Sequence, residues 1–335
     1  MDDLRRPRPD RWPARTLARL ALAGAVVAGT AGCGGGPGTT GTTSDTPRAS
    51  APARTATTPA APPTATPAAT PGPASSSGAA SGRALPAPGA PLPTAPAALA
   101  SALRETTTAL NAAIDRWRPD ASSAPPQDVE LLALYQQRLY RHAARHRDLA
   151  DRAFARLPAA LAAQARDNVA AIRELLALAR PIKPSAVFKV QPARPAAELL
   201  GHFKRAERRF GVKWEVLAAV MFAETKFGRV RSDSHAGAQG PMQFMPATWR
   251  AYGMGGDIQD PRDAVMAAAN YLRATGAPRD YRRALRAYNP SQAYVDAVLL
   301  HARQIERDPR AYYAYYNWQV FVITTRGERR LTGPR

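Results

Sequence analysis

Three short segments of the chain carry side chains that could act on a polar polymer. The first is Ala-Glu224-Thr-Lys-Phe-Gly, in which a carboxylic acid follows an apolar run. The second is Gly-Ala-Gln-Gly-Pro-Met-Gln243-Phe-Met-Pro, and the third is Ala-Tyr288-Asn289-Pro. A carboxylic acid can transfer a proton, and a glycine-rich loop with amide and phenol groups can hydrogen-bond hydroxyl groups. Together they indicate an enzyme site.

The residues before Glu224 predict a helix that places this carboxyl group on an apolar face. Apolar residues recur at helical spacing, and Glu224 lies three and four positions after Met221 and Val220. Burial disfavours the charged form of a carboxyl group and raises its pKa, which suits a general acid near neutrality. The alternative is an exposed glutamate in the last turn, paired with Lys226 or Arg229.

Glycine and proline positions predict how the elements around these segments begin and end. Gly228 is expected to stop the helix of Glu224. Gly237 and Gly240 stand where the backbone must turn or approach a ligand closely. Pro246 predicts the start of the next helix, and Asn289-Pro290 predicts a turn between helices. Each pattern alone is also typical of an ordinary structural turn.

In this order and spacing, the three segments resemble those of the lytic transglycosylases, bacterial enzymes with a lysozyme-like domain that cleave peptidoglycan. Glu224-Thr-Lys-Phe-Gly is similar to the Glu-Thr-Arg-Phe-Gly of the membrane-bound lytic transglycosylase B type. Gly-Pro-Met-Gln243 is similar to the Gly-Leu-Met-Gln loop of the soluble type, with proline in place of leucine. The resemblance covers residues 198–311 and implies a mainly α-helical, lysozyme-like catalytic domain.

The resemblance also implies a role for each matching residue. Glu224 would protonate the glycosidic oxygen. Four residues would line the saccharide cleft and hold the carboxyl group or the sugar: Met242, Gln243, Tyr288 and Asn289. Tyr294 matches a further family tyrosine and would also bind the substrate, with a plain core tyrosine as the alternative. Peptidoglycan glycan strands would be the binding partner.

The number of carboxylates bears on the mechanism. Glycoside hydrolysis normally needs two, about 5 Å apart for retention or roughly 6.5–9.5 Å apart for inversion. The acidic residues that follow Glu224 stand in segments that read as loops or helix starts: Asp233, Asp257, Asp260 and Asp263, the last of which is expected to cap a helix. In lytic transglycosylases one carboxyl group suffices, because the 6-hydroxyl of muramic acid is the nucleophile and a 1,6-anhydro sugar is the product.

Two alternatives to a transglycosylase remain open from the sequence. A lysozyme-like muramidase would hydrolyse the same bond with Glu224 and Asp233. A wall-binding lipoprotein would hold the glycan without cutting it, although Glu224, Gln243 and the Tyr288-Asn289 pair together argue for an enzyme.

The N-terminus has the pattern of an export signal that ends in an acylated cysteine. Six arginines precede an apolar run at 20–28, which is too short for a membrane span of about 20 residues. Thr-Ala-Gly-Cys33 resembles a lipoprotein box, and Cys33 is the one cysteine of the chain. We therefore expect an exported protein, anchored in the cell membrane through a lipid on Cys33 and facing the cell wall, with ordinary secretion as the alternative.

The chain after the signal divides by composition. Residues 34–94 are rich in Pro, Thr, Ala and Ser, which predicts a disordered linker. Residues 95–183 predict a helical region whose apolar stripes form a core: Leu131, Leu134, Tyr135, Leu139, Val169, Ile172, Leu175 and Leu176. The predicted catalytic domain spans 184–311. The tail 312–335 alternates from Trp318 to Thr324 as a strand does.

Composition argues against several other classes of function. His142 and His146 stand one helical turn apart, but without a third ligand they do not predict a metal site. No phosphate-binding glycine loop or nucleotide fingerprint is present, so no cofactor is expected. The formal net charge of +20 favours polyanions, and for an exported protein these are anionic wall polymers and lipid headgroups rather than nucleic acid.

Overall fold

Helices make up most of the protein. A computed structural model describes residues 84–334. The predicted signal peptide, Cys33 and residues 34–83 of the predicted linker lie outside the described residues, and residues 84–94 lead into the first helix. The described residues from Leu85 onward belong to one compact unit, and the sequence-based boundary at 183 falls inside it.

Residues 84–334 contain eleven α-helices and a two-stranded antiparallel sheet that pairs Phe321 with Arg330. The helices are α1 (Pro96–Trp117), α2 (Gln127–Arg145), α3 (Arg147–Phe154), α4 (Ala159–Leu178), α5 (Ala196–Phe210), α6 (Trp214–Thr225), α7 (Pro246–Tyr252), α8 (Pro261–Thr275), α9 (Tyr281–Tyr288), α10 (Gln292–Arg307) and α11 (Arg310–Tyr316). The strands are β1 (Phe321–Thr324) and β2 (Gly327–Arg330). No helix in this part of the chain is long and apolar enough to cross a membrane.

The predicted apolar stripes of α2 and α4 do form core. Five of their eight residues are buried: Leu131, Leu134, Leu139, Val169 and Ile172. The other three, Tyr135, Leu175 and Leu176, are partly buried and pack against the core. Helix α4 begins directly after Pro158 and packs along α10. The N-terminal helices therefore support the helix that passes beneath the site.

Helix α6 is the central helix of the fold. Every residue from Val216 to Ala223 is buried, so the helix is apolar all round and needs partners on each side. It packs against α5, α10 and α11. On one face, the ring of Phe222 lies 5.0 Å from that of Tyr315 and 5.8 Å from that of Trp318. Residues of the C-terminal tail thus pack against α6 through Phe222.

The tail is also tied to α2 by a glutamine pair. The Gln137 side chain donates to the Gln319 carbonyl oxygen at 2.9 Å and accepts from the Gln319 amide at 2.8 Å. Two hydrogen bonds of this kind imitate a strand pairing. Trp318 and Gln319 are committed to these core contacts, and for this reason the regular strand begins at Phe321 instead of Trp318.

Two predicted helix boundaries were wrong. Helix α6 ends at Thr225 and not at Gly228, because Lys226 turns into the left-handed region with φ 52°. The cap of α8 is Asp260, whose side chain accepts from the Asp263 amide at 3.0 Å. Pro261 fits the first helical position, which moves the start ahead of Asp263.

Candidate active site

A cleft of about 380 Å³ opens at the C-terminal end of α6. Its walls come from α6, from the loop before α7, from α8 and from the end of α9. The lining residues are Glu224, Ser234, Ala238, Gln243, Phe244, Met245, Thr248, Tyr271, Arg286, Ala287, Tyr288, Asn289 and Pro290. All three segments singled out in the sequence meet here, although they are separated by up to about 65 positions.

Glu224 is the acid of this cleft. It stands in the last turn of α6, directly after the fully buried stretch 216–223. Burial raises its pKa to about 8, and the Tyr294 hydroxyl and the charge of Lys226 act in the opposite direction. The carboxyl group is therefore protonated at neutral pH and able to donate that proton, as the apolar helix predicted.

Tyr294 lies beneath Glu224 on α10 and is fully buried. Burial and the neighbouring Glu224 raise the pKa of its phenol well above the usual value, so it stays neutral. Its hydroxyl has no hydrogen-bond partner of ordinary geometry among the described residues. Tyr294 does not line the cleft, which differs from the expected contact with sugar. It contacts the acid instead.

Neither Lys226 nor Arg229 forms an ion pair with Glu224, which was the alternative to a buried acid. The Lys226 ammonium donates to the Phe222 carbonyl oxygen at 2.9 Å and lies 4.1 Å from the Phe222 ring centroid. Burial, together with the charge of Arg141, lowers its pKa to about 7. The Arg229 guanidinium stacks over the Tyr316 ring at 4.9 Å.

The loop before α7 is a tight turn held to the end of α6. The Thr225 hydroxyl donates to the Pro241 carbonyl oxygen at 2.6 Å and accepts from the Gly228 amide at 2.9 Å. Within the loop, the backbones of Gln239 and Phe244 exchange two hydrogen bonds of 2.9 Å. Thr225 therefore fixes the position of the loop relative to the acid, a role that the sequence did not suggest.

Gly240 is required in this turn for two separate reasons. Its φ of +74° lies in the left-handed region, which favours glycine. A Cβ atom at this position would also overlap the Ile258 carbonyl oxygen, so the backbone of residues near 258 packs directly on the loop. Gly237 has a φ of +86° but open space around the same position.

Gln243 presents an amide to the cleft. It has a φ of 50°, and both its backbone amide and its side-chain NH2 donate to the Gly240 carbonyl oxygen at 3.0 Å. The side-chain oxygen has no partner among the described residues. It is free to accept from a sugar hydroxyl group.

Met242 does not line the cleft, which corrects the sequence-based expectation. Its side chain is fully buried in the core. The left-handed residue Gln243 reverses the backbone, so neighbouring side chains point in opposite senses. Met242 contributes through its carbonyl oxygen, which accepts from the Tyr288 hydroxyl at 2.6 Å.

Tyr288 and Asn289 do line the cleft, at the end of α9. With its hydroxyl bound to the loop, Tyr288 offers a ring to the cleft and forms an aromatic wall with Phe244 and Tyr271, whose ring centroids each lie 5.7 Å away. Asn289 is almost buried, and its side-chain oxygen accepts from the Ser291 amide at 3.1 Å. Its NH2 group has no protein partner among the described residues.

Nine residues of the cleft lining were not predicted as site residues: Ser234, Ala238, Phe244, Met245, Thr248, Tyr271, Arg286, Ala287 and Pro290. Phe244 and Met245 directly follow Gln243 in the motif loop, and this position could have predicted that they line the cleft. Tyr271 lies inside α8, where an aromatic residue at helical spacing indicates only core. Arg286 comes two positions before Tyr288, where an arginine in a basic chain is typical of a solvated face.

Glu224 is the one carboxylic acid among the described residues that line the cleft. Asp233 is exposed in the loop after α6 and makes no hydrogen bond or ion pair. Asp257 and Asp260 line another cavity, and Asp263 a third. Within residues 84–334, no group of three or more His, Cys, Asp and Glu side chains is arranged to hold a metal ion.

Comparison with known proteins agrees with this geometry. Residues 201–307 match the family model described as transglycosylase SLT domain. No curated protein and no solved structure matches the chain. The matched segment lies inside the range of the motif resemblance and contains Glu224, Gln243, Tyr288 and Asn289. The match at residues 201–307 is therefore consistent with a lysozyme-like lytic transglycosylase domain.

Proposed function

We propose that the protein is a peptidoglycan lytic transglycosylase, which cleaves the β-1,4 bond between MurNAc and GlcNAc and forms 1,6-anhydro-MurNAc. The SLT domain supports a transglycosylase acting on peptidoglycan in general. The finer proposal rests on one observation, the single protonated carboxyl group in a cleft whose described lining holds no other acid.

One carboxyl group can carry out both halves of this reaction. Glu224 first gives its proton to the glycosidic oxygen while the bond from that oxygen to C1 of MurNAc breaks. The resulting carboxylate then takes the proton of the C6 hydroxyl group as the C6 oxygen bonds to C1. Glu224 ends protonated again, no water is consumed, and no second carboxylate is required.

The surrounding residues bind and orient the sugar. The free amide oxygen of Gln243 and the free NH2 group of Asn289 supply an acceptor and a donor for substrate hydroxyl and acetamido groups. The aromatic wall formed by Phe244, Tyr271 and Tyr288 matches the apolar face of a sugar ring. Tyr294 contacts the acid from the side opposite the cleft, and burial keeps the acid protonated and uncharged until the leaving oxygen accepts the proton.

Product analysis of digested sacculi tests this proposal. The full chain is incubated with purified sacculi, and the soluble products are identified by mass spectrometry. Anhydro ends are expected. Reducing ends would replace the proposal with a muramidase, and no soluble product would favour a wall-binding protein without activity.

Asp233→Asn separates the two mechanisms. Because the substrate supplies the nucleophile, we expect this change to lower the rate of anhydro-product release less than about threefold. A hydrolase that relied on Asp233 as its base would lose on the order of 10²–10⁴ in rate. The exposed, unpartnered position of Asp233 supports the modest result. A severe loss accompanied by reducing-end products would reject the transglycosylase mechanism.

We also propose that the protein is exported and held in the cell membrane by acylation of Cys33, facing the wall. This proposal rests on the basic, apolar and small-residue pattern that ends at Cys33. The Pro/Thr/Ala-rich linker 34–94 that follows would let the catalytic unit reach glycan away from the membrane, since an extended chain of this kind spans roughly 3 Å per residue.

Cys33→Ser should move the protein from the membrane fraction to the soluble fraction. One acyl chain binds membranes only marginally, while two or more anchor stably, so loss of the acylated residue removes the anchor. Immunoblots of fractionated cells measure the shift, and unchanged activity of the purified variant on sacculi is the control. Equal membrane retention, or a mature N-terminus without fatty acid, would contradict the anchor.

A further inference from the structure

Arg286 is the one basic residue among the described lining of the cleft. It stands in α9 two positions before Tyr288, and its side chain is exposed. The other lining groups carry no charge near neutral pH, because Glu224, the one acid among them, holds its proton. Arg286 therefore gives the cleft lining a net positive charge near neutral pH.

The guanidinium of Arg286 is held by a neutral group and not by an acid. It donates to the side-chain oxygen of Gln292, and it makes no ion pair. The NH2 group of Gln292 donates onward to Asp296 at 2.9 Å, and Asp296 also accepts from Arg282 at 2.7 Å. The amide of Gln292 thus orients Arg286 without neutralising it.

Charge counting in this group leaves one positive charge unmatched. Asp296 is the acid beside Arg282 and Arg286. Burial raises its pKa, but hydrogen bonds from Gln292 and Arg282 and the charges of both arginines outweigh burial and lower it. Its two oxygens are occupied by Arg282 and Gln292. Arg286 consequently keeps the donors that a carboxylate would use, in the fork geometry that fits two oxygens.

We infer that Arg286 forms a carboxylate-binding subsite at the edge of the cleft, so that glycan carrying acidic groups binds in preference to neutral glycan. The inference rests on the proposed function. In peptidoglycan, a carboxylate next to the sugar comes from one of two sources, the peptide stem or the lactyl group of a MurNAc that has lost its stem.

The test is equilibrium binding to the full chain carrying Glu224→Gln, which prevents turnover. Three soluble glycans of equal length serve as probes: a neutral chito-oligosaccharide, a GlcNAc–MurNAc chain with free lactyl carboxylates, and the same chain with peptide stems. Adding Arg286→Gln should weaken binding of at least one acidic glycan about 5- to 20-fold, the range of a charge-assisted hydrogen bond reduced by solvent. Binding of the neutral glycan should change less than about twofold.

Two further variants separate charge from structure. Gln292→Glu keeps the arginine but places a carboxylate against it, and an acid at the first turn of α10 is compatible with the helix. It should weaken binding of the acidic glycans as Arg286→Gln does. Arg283→Gln removes an exposed arginine of the same helix that lies outside the cleft lining, and it should leave all three affinities unchanged.

The pattern of losses decides between outcomes. Loss confined to the stem-bearing glycan assigns the stem as the source, and loss confined to the stem-free chain assigns the lactyl group. Equal losses for all three glycans, or no loss for any, would overturn the inference while leaving the transglycosylase proposal intact. Failure of the parent Glu224→Gln chain to bind any of them would reject the proposed function, and the subsite with it.

Discussion

Glu224→Gln should abolish release of soluble products from sacculi while glycan affinity is retained. The amide has nearly the same shape as the acid, but it has no proton to give to the departing sugar oxygen. A positioned general acid contributes on the order of 10²–10⁴ in rate, and here the same group also acts as the base, so the loss should reach at least the upper end. Initial rates of product release measure it.

Glu215→Gln is the matched control for this change. Glu215 lies in the same helix, and burial raises its pKa as well, but it does not line the cleft. Its replacement should leave the rate within about twofold of the parent. Near-normal turnover by Glu224→Gln, or an equal loss in both variants, would remove Glu224 from its assigned role.

Glu224→Gln should also make the fold more stable than the parent at alkaline pH. The pKa of Glu224 is about 8 in the folded protein and near 4.5 in the unfolded chain, so its contribution to stability is complete below pH 4.5 and is lost as the pH rises to 8. Each unit of pKa difference corresponds to about 1.4 kcal/mol. Urea unfolding at pH 5 and pH 8.5 should show a difference between variant and parent that grows with pH. That result would also demonstrate that inactivity is not unfolding.

Gly240→Ala should disrupt the cleft loop and remove most activity. The added methyl group meets both obstacles at this position, the left-handed backbone and the Ile258 carbonyl oxygen. Backbone strain of about 1–3 kcal/mol and overpacking of about 1–3 kcal/mol together predict a loss of roughly 2–6 kcal/mol in the free energy of unfolding. Because Gln243 hydrogen-bonds to Gly240 through both amides, glycan affinity should fall as well.

Gly237→Ala separates the two contributions. It has a similar positive φ in the same loop, but nothing lies within 4 Å of the added carbon. We therefore expect only the conformational part, about 1 kcal/mol, and nearly normal activity. Unfolding curves and rates on sacculi for both variants provide the comparison. Equal effects would mean that the contact with Ile258 yields easily and does not fix the loop.

Much of the site could be predicted because its chemistry is local in sequence. An apolar run followed by one acid predicts a buried carboxyl group, and glycines in the next loop predict a tight turn. Gln243 and the Tyr288-Asn289 pair were found through their motifs, and all of these residues line one cleft. The mainly helical architecture likewise followed from periodicity in α2, α4 and α6.

What could not be predicted depends on backbone direction and on packing between distant elements. The positive φ at Gln243 turns Met242 into the core, and no residue type announces such a φ for a glutamine. Tyr271 reaches the cleft only because α8 packs beside α9. Arg286 lines the cleft, whereas Arg282 and Arg283 of the same helix do not, and helical periodicity alone does not predict this difference.

The pairing of Gln137 with Gln319 makes completion of the site a late event in the life of the chain. The two residues are 182 positions apart, and contacts at such separation slow folding because a long loop must close first. Two of the aromatic partners of Phe222, Tyr315 and Trp318, likewise come from beyond residue 311 and are made after every residue that lines the cleft. A chain that contains every cleft-lining residue but lacks Tyr315 and Trp318 leaves one face of α6 uncovered, so the segment 201–307 that matches the SLT domain depends for its packing on residues beyond its own end.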